Sequence, residues 1–103
     1  FFSESKFSRI HVGMQREEVL ALIGAPIRIL ESRRGRIISL ADFVGGKWVK
    51  RYPDLPANPK IQPDEIIYFY SIPGKRSDHW HVRTISFSPA GRVTDVESSF
   101  YVD

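Results

Sequence analysis

The residues whose types and spacing could support chemistry lie in the run Asp78-His79-Trp80-His81. Alternate side chains of a β-strand point to the same face, so His79 and His81 would lie together and, with a carboxylate, could hold Zn²⁺, Ni²⁺ or Cu²⁺. A catalytic metal site needs a third histidine or a placed acid, and His11 is the only other histidine. A surface or hydrogen-bonded histidine pair is the better interpretation, so we expect neither a metal nor a cofactor.

Acid–base and nucleophilic catalysis have no better support in the sequence. Glu17 and Glu18 are adjacent on a predicted helix and so face different directions, which does not suit a general acid and base that act together. The chain has eleven serines, but none lies in a Gly-x-Ser-x-Gly elbow, and no phosphate-binding glycine loop is present. We therefore expect a non-enzymatic protein with no catalytic residues.

The best-marked element that could position side chains is a short helix predicted over Gln15 to Ile23. Gly24, expected to adopt a positive φ, and Pro26 supply the stop. Gln15 lacks the hydroxyl of a usual N-cap, so the capping box with Glu18 is incomplete. About nine residues are too few for a helix that is stable alone, so it must dock on other elements. Its apolar stripe consists of Val19, Leu20 and Ile23.

A first helix is predicted upstream, from Ser3 to Arg9. The second half of the chain is rich in β-branched and aromatic residues and predicts three strands: Ile66 to Tyr70, Val82 to Ser88 and Arg92 to Val96. Val93 and Val96 have opposite parity, which fits either a β-bulge or an outward-facing valine. The sequence thus predicts one α+β domain over residues 1–103, with two short N-terminal helices packed on a three-stranded antiparallel β-meander.

The first meander strand is apolar on both faces. Tyr68 and Tyr70 alternate with Ile67 and Phe69, so both faces of this strand should be covered. Two short helices can cover only one face. Either an inserted segment or a partner protein is expected to cover the other.

A basic insertion, about residues 32–64, separates the second helix from the meander. The run Ser32-Arg33-Arg34-Gly35 between two apolar segments predicts a hairpin, and Gly45-Gly46 would allow a second turn. The apolar spacing also fits a helix, through Ile37, Leu40, Val44 and Trp48. Paired glycines would cost such a helix about 1 kcal/mol each. Four prolines after Tyr52 predict an extended surface connection: Pro53, Pro56, Pro59 and Pro63.

The positive charge of the chain is concentrated in this region. The whole chain carries +3 at pH 7, whereas residues 28–51 contain seven basic and two acidic residues and carry +5. Arg33, Arg34 and Arg36 lie around the predicted turn and form a candidate patch for an anionic partner: lipid headgroups, an acidic protein surface or nucleic acid. A solvated arginine-rich turn is the alternative. No RNP-type motif is present, so we expect no nucleic acid.

The run from Ile10 to Pro26 resembles the start of the small outer-membrane lipoproteins of the SmpA/OmlA (BamE-like) family, which reads roughly I-x-x-G-M-T-x-x-x-V-x-x-x-L-G-x-P. The matching residues are Ile10, Gly13, Met14, Val19, Ile23, Gly24 and Pro26. The likeness continues through Tyr68-Phe69-Tyr70, Pro73-Gly74, Ile85-Ser86-Phe87 and Gly91-Arg92-Val93. The insertion departs from the family, whose link between helix and meander is far shorter.

This resemblance implies a scaffold role in outer-membrane protein assembly, on the periplasmic side of the outer membrane. It implies a lipid anchor on a cysteine upstream of Phe1, or a soluble periplasmic form, and contact with another lipoprotein subunit and with anionic phospholipid. The candidate partner-binding residues are Ile10, Met14, Tyr70 and Trp48, although Trp48 also fits the core. The alternative is an inhibitor or sensor, similar to β-lactamase-inhibitor-like domains, that binds an enzyme through its sheet face.

Overall fold

A computed structural model describes residues 4–52, 61–71 and 79–102 of the protein. Two helices and six strands follow one another along the chain: α1 (Glu4–Phe7), α2 (Arg16–Ile23), β1 (Arg28–Arg33), β2 (Arg36–Val44), β3 (Lys47–Tyr52), β4 (Glu65–Ser71), β5 (His79–Phe87) and β6 (Val93–Val102). The strands form a single sheet in the order β3-β2-β1-β4-β5-β6, and every neighbouring pair is antiparallel. No helix of the described residues is long and apolar enough to cross a membrane.

The predicted three-stranded meander with two helices packed on it is wrong, because the sheet has six strands. Strand β1 pairs with β4, with Arg28 opposite Phe69 and Ser32 opposite Glu65, and the segment read as an insertion continues the same sheet as β2 and β3. β4 is therefore a central strand. The edge of β4 that faces away from β5 hydrogen-bonds to β1. Tyr68 and Tyr70 on one face of β4 are buried in the core, whereas Ile67 and Phe69 on the other face are half-buried.

The two turns expected from paired turn residues are confirmed as hairpins. Arg34 and Gly35 have φ of 52° and 78°, and Gly45 and Gly46 have φ of 60° and 83°. Positive φ at both central residues is the geometry of a type I′ turn, whose twist matches that of the flanking strands. The alternative of a helix through Ile37 and Trp48 is excluded, since both residues lie in paired strands.

The core lies between the two helices and strands β4 to β6. Its buried residues are Phe7, Ile10, Val19, Ile23, Tyr68, Tyr70, Ile85, Phe87 and Val93. A β-bulge between Ser86 and Phe87 places Val93 opposite Phe87 and Val96 opposite Ile85. Both valines therefore pack on the core despite their opposite parity, which decides for the bulge and against an outward-facing valine.

Helix α2 is tied to the sheet at both ends. At its start, the Gln15 N–H donates to the Glu18 carboxylate (3.4 Å) and the Arg16 N–H donates to the Gly91 carbonyl (2.8 Å). At its end, Gly24 has φ 81° and ψ −168°, a conformation essentially restricted to glycine, so the expected positive φ is confirmed. The Tyr70 hydroxyl donates to the Gly24 carbonyl (2.9 Å), so β4 holds the end of the helix.

Neighbouring residues of α2 provide a matched test of this packing. The Val19 side chain is fully buried, whereas Leu20 is 36% exposed. We expect Val19→Ala to lower the free energy of unfolding by about 1 to 4 kcal/mol, because it deletes buried methyl groups and leaves a cavity. Leu20→Ala should cost less than about 1 kcal/mol. Urea denaturation of the two variants measures both values, and equal losses would contradict this placement of the helix.

Candidate functional site

Strands β1 to β3 form a basic and apolar half of the sheet, which we call the basic arm (residues 28–52). The arm contains the seven basic and two acidic residues of the positively charged segment. Nine large apolar residues are exposed among the described ones, and five of them lie on β2 and β3: Ile37, Phe43, Val44, Trp48 and Tyr52. The helices pack on the half of the sheet formed by β4 to β6, so most side chains of the arm are not covered by a helix.

Arg28 links three strands at one end of the arm. Its Nε and Nη2 atoms donate to the two carboxylate oxygens of Asp42 at 2.6 and 3.1 Å, a bidentate ion pair between β1 and β2. Its guanidinium carbon lies 5.8 Å from the ring centroid of Phe69 on β4, within cation–π range. The Arg51 Nε also donates to Asp42, at 3.3 Å. Arg28 and Arg51 are therefore both paired with an acidic residue inside the arm.

The Arg28 hydrogen bond has an electrostatic consequence for Asp42, whose side chain is 14% exposed. That hydrogen bond holds the pKa of the Asp42 carboxyl below its ordinary value, against the opposing effect of burial. The same contact raises the pKa of Arg28. Asp42 is therefore ionised at neutral pH and pairs with both Arg28 and Arg51.

The structure places the three predicted arginines together at the turn between β1 and β2. The Arg33 Nη1 donates to the Gln62 carbonyl (2.9 Å), and the Arg34 backbone N–H donates to the Asp64 carboxylate (2.9 Å). All three side chains are exposed and line a surface groove whose apolar members are Ile38 and Ile61. We call Arg33, Arg34 and Arg36 the arginine tip. An anionic partner for it stays a prediction.

Trp48 lies at the opposite end of the arm, beside the turn between β2 and β3. It faces Phe43 across the two strands, with ring centroids 5.3 Å apart and a 63° angle between the planes. Trp48 is 42% and Phe43 46% exposed, so Trp48 does not belong to the core. Sequence reasoning missed Phe43. The signal was available, because a two-residue Gly45-Gly46 turn makes Phe43 and Trp48 a cross-strand pair.

Two other candidate partner-binding residues, Ile10 and Tyr70, lie in the core and are each 6% exposed. Burial raises the pKa of the Tyr70 phenol far above its ordinary value, so the hydroxyl stays protonated and donates to Gly24. Met14 is half-buried against the same core. A partner would reach Ile10 or Tyr70 only if the helices moved, so their burial assigns them a packing role.

The predicted histidine pair lies partly outside the described residues. His79 and His81 lie in β5, but their side chains, like the whole of Asp78, fall outside the described residues. Elsewhere in the described ranges, no group of three histidine or acidic residues is arranged to hold a metal ion. The His11 ring Nδ1 lies 3.3 Å from the Arg9 carbonyl oxygen. The expectation that the protein holds no metal stays a prediction.

No protein-family model, curated protein or solved structure matches this chain. The resemblance to the BamE-like lipoproteins therefore stays a hypothesis that depends on the matched residues alone.

The ion pair predicts how stability depends on pH. A carboxyl group whose pKa is lower in the folded state stabilises the fold above its unfolded pKa of about 3.9, and this contribution is lost as the pH falls through the folded value. At pH near 7, Asp42→Asn should lower the free energy of unfolding by about 1 to 3 kcal/mol, because Arg28 loses its charged acceptor.

At a pH of about 3, below the unfolded pKa of about 3.9, the difference between Asp42→Asn and wild type should be smaller. Folding must then release the proton that Asp42 carries in the unfolded chain. Urea denaturation across this range provides the measurement. Asp95→Asn, at an exposed position on β6, is the matched control and should show little effect at either pH. A difference that does not change with pH would contradict the role given to the ion pair.

Proposed function

We propose that the protein is a non-enzymatic interaction module of the cell envelope that binds a protein partner through the basic arm. One observation carries this proposal: strands outside the helix-covered core combine exposed aromatic side chains with two exposed lysines, Lys47 and Lys50, that form no salt bridge with a described residue. Trp48, Phe43 and Tyr52 are half exposed. Tryptophan, tyrosine and arginine are the residue types that dominate binding energy at protein interfaces.

The chemistry of the perturbed groups supports a non-enzymatic role. Asp42 owes its lowered pKa to Arg28, and Tyr68 and Tyr70 owe their raised pKa values mainly to burial. These groups do not converge, because Asp42 and Tyr68 belong to opposite faces of the sheet. A catalytic site would instead collect perturbed groups around one cleft.

The envelope location rests on the resemblance to the BamE-like lipoproteins. We propose a location on the periplasmic side of the outer membrane, either lipid-anchored through a cysteine upstream of Phe1 or soluble in the periplasm. Its partner would be another lipoprotein subunit of the outer-membrane assembly machinery. The basic arm adds a chemical requirement, since the partner must present acidic and apolar groups together.

A second candidate function is an inhibitor or sensor that covers an enzyme's cleft with its sheet face. One observation favours it. On the face without helices, Leu30 lies between Leu40 and Ile67 in a row across β2, β1 and β4, and all three side chains are only half-buried. A partner seated on this face would contact Ile67, whereas a partner on the basic arm would contact Trp48.

Site-specific photo-crosslinking in the cells that express the protein tests the proposal. Benzoylphenylalanine at Trp48 should give an adduct with one envelope protein, because this side chain is 42% exposed within the arm. The control position is Val12, which is 64% exposed and lies near the helices. Adducts at Val12 but not at Trp48 would contradict the proposal. An adduct only at Ile67 would favour the inhibitor.

The arginine tip provides a separate test for anionic phospholipid. Ile37 and Ile61, which are 46% and 45% exposed, lie close to the three arginines and could enter a headgroup layer. Each arginine near an anionic surface contributes about 1 kcal/mol, so changing all three to glutamine should weaken binding to phosphatidylglycerol vesicles roughly a hundredfold. Vesicle co-sedimentation measures this loss.

There are two controls. Phosphatidylcholine vesicles carry no net charge, and the Lys47→Gln/Lys50→Gln variant removes positive charge from β3 instead of from the arginine tip. Binding should also weaken as salt shortens the screening length from about 10 Å at 0.1 M to about 3 Å at 1 M. Equal sedimentation with both lipids would exclude a lipid partner for the tip.

A further inference from the structure

We propose that the open edge of β3 accepts an extended acidic segment of a partner protein as an added antiparallel strand. The inference rests on the proposed function, because it names how the basic arm binds its partner. Among the described residues, β3 is the last strand at one end of the sheet, and its residues are exposed apart from half-buried Val49. The main-chain N–H and C=O groups on its outer side therefore offer a ladder to another strand.

Apolar side chains flank this edge on both faces of the sheet. Phe43 and Trp48 form their edge-to-face pair on the face that bears the helices. On the other face, Leu40 lies opposite Tyr52, and the two line a surface groove together with Ile37. Because side chains of a strand alternate between faces, an added strand would place apolar groups against both surfaces.

The charge of β3 determines the chemistry of the added strand. Its six residues include Lys47, Lys50 and Arg51 and no acidic residue. Arg51 contacts Asp42, whereas neither lysine forms a salt bridge with a described residue. Lys47 and Lys50 lie opposite Val44 and Ala41, so they point to opposite faces of the sheet. They are complementary to glutamate or aspartate at two facing positions of an added strand that are three residues apart.

Lysines on an edge strand also protect against edge-to-edge aggregation, and this role is compatible with the proposal. Two β3 edges would repel each other, whereas an acidic strand would be attracted. The same charges therefore oppose pairing between two β3 edges and favour an acidic partner strand. The rival occupant is the β6 edge of a second copy, which carries Asp95 and Glu97.

The probe is a fluorescent peptide about eight residues long, which is ordinary strand length, with glutamate at every third position and valine or threonine between. This spacing lets one glutamate face each lysine. Fluorescence anisotropy measures its binding to the intact protein at an ionic strength of about 0.15 M. The comparison peptides replace glutamate by lysine, or place two adjacent prolines at the centre. Adjacent prolines disrupt hydrogen bonding on both edges of the peptide, while most of the charge is kept.

We expect the acidic peptide to bind wild type and the lysine and proline peptides to bind at least about tenfold more weakly. Lys47→Glu/Lys50→Glu should lose the acidic peptide and gain the lysine peptide, an exchange that unfolding cannot imitate. Arg9→Glu, which makes half of that charge change at an exposed position in the helix-covered half, should leave binding unchanged.

Three results would overturn the inference. Equal binding of the proline peptide would mean charge attraction without strand addition. A loss in Arg9→Glu in proportion to its charge change, about half of the double variant's loss in binding free energy, would mean attraction to the whole protein. Concentration-dependent self-association of wild type that the double lysine variant abolishes, seen by analytical ultracentrifugation, would assign the edge to a second copy. These failures differ from a failure of the proposed function, which the cross-links at Trp48 report separately.

Discussion

The pairing of β1 with a strand on each side is the constraint on which the rest of this structure depends. β1 hydrogen-bonds to β2 along one edge and to β4 along the other, so it joins the basic arm to the half of the sheet that packs on the helices. Arg28 strengthens this junction, since it contacts Asp42 on β2 and Phe69 on β4. At the other end of β1, the Asp64 N–H donates to the Ser32 carbonyl. The junction is thus fixed at both ends.

This arrangement separates stability from recognition. The fully buried side chains of Val19, Ile85, Phe87 and Val93 all lie in the helix-covered half, where burial of apolar surface supplies most of the folding free energy. The arm adds few buried side chains and exposes aromatic and basic ones instead. Exposed apolar groups are costly for a small domain unless something covers them at least part of the time. The continuous sheet allows the arm to keep such groups in a fixed geometry.

The sequence predicted the local elements well and their assembly poorly. Helix α2, the hairpin at Arg34-Gly35 and strands β4 to β6 follow from short-range signals: the Gly24 stop, turn residues and β-branched runs. At Gly45-Gly46 the sequence allowed a turn but also fitted a helix. The contact of β1 with β4 joins Arg28 to Phe69, far apart in the chain, and no local pattern specifies that register. The apolar faces of β4 correctly indicated burial of Tyr68 and Tyr70, but faces do not show which strands pair with the edges of β4.

The site shows the same division. The arginine tip could be predicted because its residues are neighbours in the chain, whereas the pair of Phe43 and Trp48 needed the hairpin register first. The ion pair of Arg28 and Asp42 could not be predicted without the pairing of β1 with β2, which sets the two residues opposite each other. Ile10 and Tyr70 matched positions in a sequence pattern, yet they proved to be packing residues, because a pattern does not tell whether a residue is matched for a partner or for the core.

The central claim, that the arm is a rigid continuation of the sheet, can be tested by one distance. The chain has no cysteine, so spin labels at Lys50→Cys on β3 and Glu97→Cys on β6 are selective. Lys50 lies in a row with Ala41, Ile29, Tyr68, Ile85 and Val96, beside Glu97. Five strand spacings of about 4.8 Å separate the labelled strands by about 24 Å. Double electron–electron resonance should give one narrow distribution between about 20 and 30 Å. A broad distribution, or one centred well beyond that range, would show that the arm is not joined to β4.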